Sequence, residues 1–161
     1  MTRRKGQTSM ILIVLMIIIM MGMGIFLLFS SIRDSSSSEF DNYYTHNLLL
    51  TVLRTHTGYK SPCSTVSETI SSAFLLPGTT CQGRMKSDIL NETIPVLMDA
   101  VKKPNLEYYL VIQPENWEVA GGRRLEFGKS WVDNEEDKSV ANEKILQYGS
   151  NLRVKLVLAE G

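Results

Sequence analysis

Residues 10–29, MILIVLMIIIMMGMGIFLLF, run for twenty positions without one charged or strongly polar side chain. At a rise of 1.5 Å per helical residue, about twenty apolar residues cross the ~30 Å hydrocarbon layer of a bilayer. A membrane helix is therefore expected. Arg3, Arg4 and Lys5 precede the run, whereas Arg33, Asp34 and the serines at 35–38 follow it. The positive-inside rule then puts the N-terminus in the cytoplasm and the remainder outside, as a single-pass protein of the cell membrane. A cleaved secretory signal would have a shorter apolar core and a small-x-small site beyond it, which Ser30-Ser31-Ile32-Arg33 matches poorly, so the anchor is expected to stay.

Setting aside the first 34 of 161 residues leaves 127, enough for one modest extracytoplasmic domain with a single core. Once Arg3, Arg4 and Lys5 are removed from the 17 basic residues, 14 face 17 acidic ones. That balance excludes nucleic acid as the natural partner. Cys63 and Cys81 both fall in the outer part, where thiols are oxidised, and their even number predicts a disulfide; two unpaired buried thiols are the alternative.

The N-terminal order of basic cluster, glycine, polar residue and unbroken apolar helix resembles the class III signal of type IV pilin-like proteins, particularly the archaeal ones. The resemblance covers about the first 30 residues and implies cutting between Gly6 and Gln7 by a prepilin peptidase on the cytoplasmic side, with Arg4 and Lys5 as the preceding basic residues. Bacterial members carry a glutamate at the fifth position after the cut. Here that position is Ile11, which fits the archaeal members better. The resemblance further implies a structural or accessory subunit of a cell-surface filament or secretion apparatus. Its partners would be membrane lipid, other pilin-like subunits through the helix, and the peptidase. The other reading is a single-pass tether whose outer domain binds a ligand or partner and whose N-terminus is not processed.

Within the helix, Met16, Met20 and Met23 share one face, and unbranched Met side chains suit either helix packing or lipid. Gly22 and Gly24 make no small-xxx-small pattern, because Phe26 lies four after Gly22. The organisation expected is a basic head at 1–6, the membrane helix at 7–32, a Ser-rich linker at 33–38 and an outer α+β domain at 39–161.

That domain begins with an amphipathic helix from Glu39 to about Thr57, with Phe40, Tyr44, Leu48 and Val52 on its apolar face and Asp41, Asn42, Thr45 and His46 opposite. Thr65-Val66-Ser67-Glu68 is a capping box opening a short helix that Pro77-Gly78 stops. A third helix follows between Arg84 and Lys103. It either starts near Thr93, with Pro95 in its first turn, or runs longer through Pro95, and Pro104 closes it. From Leu106 the texture turns to a mostly antiparallel sheet. The strands expected are Tyr108 to Ile112, apolar on both faces and so central, then Trp117 to Val119, Leu125 to Phe127, Val140 to Tyr148, and an alternating strand through Leu152, Val154, Leu156 and Leu158.

Chemistry is sparse in this sequence. His46 and His56 point in different directions on one helix and cannot share a metal there. No Gly-x-Ser-x-Gly, His-Glu-x-x-His or phosphate-cradling Gly-rich loop occurs, so neither an enzyme nor a cofactor is expected. Asp133, Glu135 and Asp137 alternate like the start of a calcium loop, but Lys138 replaces its glycine and Lys144 its final acid, which favours a solvated acidic loop. Asn91-Glu92-Thr93 is the one glycosylation sequon. Trp117, Trp131, Tyr43-Tyr44 and Tyr108-Tyr109 suit a binding face or plain core packing equally.

Overall fold

The first helix, α1 (Arg3–Arg54), meets no proline along its length and no glycine after Gly24, so nothing in its second half interrupts the hydrogen-bond ladder. The structure, a computed structural model, describes residues 3–115, 123–146 and 151–161, with side chains described at 13–28 and from 39 onward within those ranges. The serines at 35–38 predict a linker, yet the backbone there is helical. Serine costs only about 0.5 kcal/mol per residue against alanine in a helix, too little to end one without a breaker. Two units are distinguished, Met1–Phe40 and Asp41–Gly161.

In the second unit α1 ends at Arg54, and Gly58 adopts φ +84° beyond it. A short excursion follows, pinched at its base by the isolated bridge between His56 and Thr65 and by Val66 N donating to Thr55 O at 3.1 Å. Helix α2 (Val66–Leu75) starts at the expected cap, with Thr65 Oγ1 accepting from Glu68 N at 3.2 Å. The Glu68 carboxylate reaches one residue further back than a capping box predicts. It accepts from Ser64 N at 3.1 Å and Ser64 Oγ at 2.6 Å.

A small hairpin, β1 (Thr80–Cys81) and β2 (Arg84–Met85), which the pattern does not predict, brings Cys81 to Cys63 at a Cα–Cα distance of 6.3 Å. The pair is at disulfide distance and packs with Ile89 in a small cluster of its own. Helix α3 (Lys86–Val101) takes the longer of the two readings and runs through Pro95. The proline deprives the Asn91 carbonyl of its usual donor one turn on, which exposure of Asn91 to water can offset.

The sheet holds β3 (Leu106–Pro114), β4 (Leu125–Gly128), β5 (Lys138–Ile145) and β6 (Leu152–Glu160) in the order β4-β3-β6-β5, every pair antiparallel. As expected, β3 is central, and β6 lies beside it over nine paired residues from Leu106↔Glu160 to Pro114↔Leu152. The expected strand at Trp117 to Val119 and the end of the one at Val140 to Tyr148 lie outside the described residues.

Period-two alternation decides the faces. Tyr108, Leu110 and Ile112 of β3 and Leu152, Val154, Leu156 and Leu158 of β6 bury themselves against Leu49, Val52, Ile70, Leu90, Ile94 and Met98 of the three helices. On the other face Tyr109, Val111, Val157 and Ala159 close over Val132, which arrives on a 3-10 turn, Ser130–Asn134. That turn explains why β3 is apolar on both sides.

One polar assignment changes. Thr45, placed by helical spacing on the wet side, is fully buried, and its hydroxyl donates to Asp41 O at 2.8 Å and meets Ser139 Oγ at 2.6 Å. Edge strand β5 covers that part of α1, and the two hydroxyls satisfy each other.

Two outcomes follow from this packing. A Cβ at Gly128, whose φ is +88°, would collide with the Tyr108 carbonyl, so Gly128→Ala should destabilise the domain by about 3 kcal/mol or more in denaturant unfolding. The double variant Cys63→Ser/Cys81→Ser reopens an 18-residue separation and should lose about 3 kcal/mol in the chain-entropy account; an unchanged midpoint would remove the crosslink from the ledger of this fold.

Candidate functional site

The first unit presents the most distinctive surface. Every described residue from 13 to 28 is exposed, the large apolar ones between 50% (Val14) and 74% (Met20). Met16, Met20 and Met23 all stand out on it, and a Cβ added at Gly22 or Gly24 would meet nothing within 4 Å, so a neighbouring helix could approach the backbone closely there. Among the residues with described side chains, no helix is long and apolar enough to cross a membrane; these cover residues 13–28 of the apolar run at 10–29. Gly6 and Gln7 fall within α1, at positions whose side chains lie outside the described residues.

The other singled-out residues are scattered over the second unit. Asn91 is exposed in the middle of α3. His46 and His56 are both exposed, and His56 Nδ1 lies 3.2 Å from Ser64 O. Asp133 does not converge with Glu135 and Asp137. Its carboxylate faces Lys155 Nζ at 2.6 Å and Lys138 Nζ at 4.0 Å, and among the described residues no three His, Cys, Asp or Glu side chains form a metal group. Tyr108 and Tyr109 are buried on opposite faces of the sheet, whereas Tyr43 is exposed and Trp131 partly so. Among the described residues these aromatic side chains therefore make no common face.

The outer face of the sheet carries ion pairs around its apolar patch. Tyr109 Oη donates to Glu126 and accepts from Arg124, and burial, then the bond to Glu126, pushes the phenol above its ordinary range. Glu115 gathers Lys144 Nζ at 2.6 Å and Asn151 Nδ2 at 3.1 Å, and these hold its carboxyl below the usual range. Exposed pairs of this kind contribute little each and are screened by salt.

Lys86 is the residue that sequence reasoning missed. It sits in the first turn of α3, where a cation opposes the helix dipole, yet it is only 5% exposed. Its Nζ turns away to the end of α2, donating to Ser72 O at 3.1 Å and to Thr79 Oγ1. The signal available in the sequence was that placement, a lysine just ahead of the apolar positions Ile89 and Leu90 rather than at the helix's C-terminal end.

Glu68 yields a pH prediction. The Ser64 hydroxyl first, then the Ser64 and Thr65 backbone, hold its carboxyl below the usual range, so the folded state binds a proton there less readily than the unfolded one. That contribution is present above the unfolded pKa and is lost as pH falls through the folded one. The stability advantage of wild type over Glu68→Gln should therefore be constant above about pH 6 and shrink below about pH 4, with a flat difference counting against the bond.

No protein-family model, curated protein or solved structure matches the chain.

Proposed function

We propose that the protein is a pilin-like structural or accessory subunit of a cell-surface filament or secretion apparatus, assembling through its N-terminal hydrophobic helix. The observation that carries this reading is the unbroken exposure of residues 13–28, beside a second unit that buries an apolar core of its own. Covering that many large apolar side chains is worth tens of kcal/mol, at about 1.5–3 kcal/mol each, so lipid or like helices must surround them.

Before assembly the run at 10–29 would span the bilayer with the basic head inside and the Asp41–Gly161 unit outside, where the Cys63–Cys81 pair is stable. After cutting between Gly6 and Gln7, helices of several copies would pack side by side. The methionine face adapts to irregular gaps, and Gly22 and Gly24 admit close neighbours. The role is one of cohesion and display, with no reaction assigned.

The deciding measurement is the intact mass and N-terminal residue of the protein extracted from its host's membranes. A chain beginning at Gln7 supports the processed-subunit reading. A chain that keeps Thr2 to Gly6 overturns it and leaves a single-pass tether for an outer binding domain. Ile18→Lys, at the centre of the run, should in addition lower recovery in the membrane or filament fraction at least several-fold, since a central lysine costs about 3 kcal/mol on insertion.

A further inference from the structure

A cavity of about 230 Å³ opens where α2 ends and α3 begins. Ala73, Phe74, Leu76, Pro77 and Leu125 make its apolar wall, and Lys86 and Arg123 also line it, with no acidic residue among the described ones. Neither cation has a carboxylate partner among the described residues. Lys86 is nine-tenths buried, and its ammonium group has three protons, of which Ser72 O and Thr79 Oγ1 take two.

The start of α3 adds to the positive field. Met85 holds the N-cap position and makes no side-chain hydrogen bond, so the first-turn N–H groups lack a side-chain acceptor at the helix's positive end. Met85, Lys86 and Ser87 all line the cavity. Asp88, the nearest acid on α3, is exposed, lies 3.4 Å from Ser87 Oγ and does not line it. A buried ammonium, a guanidinium and an uncapped helix start thus share one small space that no acidic side chain lines among the described residues.

We infer that this cavity binds a small amphiphilic monocarboxylate, with its head at Lys86, Ser87 and Arg123 and its aliphatic tail along Phe74, Leu76 and Leu125. The volume lies below the ~300–1,000 Å³ of sites for drug-sized ligands, which limits the tail to a few carbons. A single negative charge matches the one buried cation, whereas a dianion would carry a second charge out of water without an equally buried partner. The apolar wall rejects simple inorganic anions, which have nothing to place there. The site lies wholly within the Asp41–Gly161 unit, so it stands or falls apart from the helix at 10–29.

The test uses the full chain in uncharged detergent micelles, titrated with sodium hexanoate and followed by the amide resonances of Ser87 and Asp88. Saturable shifts at these amides are expected, with a Kd of the order of 1 mM. Arg123→Gln and Leu76→Glu, both at exposed positions, should each weaken binding about fivefold or more, and hexanamide should produce no saturable shift. No saturable shift with hexanoate, equal affinity for hexanamide, or unchanged affinity in both variants would overturn the inference.

Discussion

The nine-residue antiparallel pairing of β3 with β6 is the interaction on which the Asp41–Gly161 unit depends. It joins the end of the chain to the segment just after α3, and each partner then holds an edge strand, β4 on one side and β5 on the other. With the side-chain period at two, its register commits every residue of both strands to a face. A slip of β6 by one would carry Leu156 away from the helices and bring Lys155 into its place. Both faces are covered, by three helices and by the turn carrying Val132, so the register is specified twice over.

The two units treat apolar surface in opposite ways. In Asp41–Gly161, Leu49, Val52, Ile70, Leu90 and Ile94 are essentially without exposure, and each closes a gap between a helix and the sheet. Along residues 13–28 apolar side chains of the same kinds stand exposed on every side of a helix. A helix that is hydrophobic all round is buried in something, a large core or a bilayer, because no single face of it can be turned to water. That contrast within one chain supports an assembly role better than any side-chain constellation does.

Polar groups in the Asp41–Gly161 unit mostly join one element or loop to another. Glu68 holds the loop before α2 through Ser64, Thr45 spans from α1 to β5, and Glu115 ties the far ends of β3, β5 and β6 through Lys144 and Asn151. Lys86 belongs to this group through Ser72, but among the described residues it alone does so with a buried charge and a cavity beside it. The edge strands carry their own protection, β4 by being four residues long and β5 by its lysines and glutamate.

Local pattern was enough to place helical stretches in the second unit, the Thr65 cap, the central place of β3 and the inward set of β6, because each depends on periodicity or on residue chemistry within a few positions, and the even cysteine count was enough to pair Cys63 with Cys81 across 18 residues. The apolar run was equally legible, as twenty positions at 10–29 without a charged side chain. Other features depended on contacts across long stretches of chain. Thr45 looked solvent-facing until Ser139, ninety-four residues on, covered it. The second core beneath Val132 and the burial of Lys86 against α2 likewise arise only when separate segments meet. Helical and strand periods report which side of an element is apolar, but what comes to lie against a polar residue is decided by the tertiary packing, since burial is a property of neighbours and not of the residue itself.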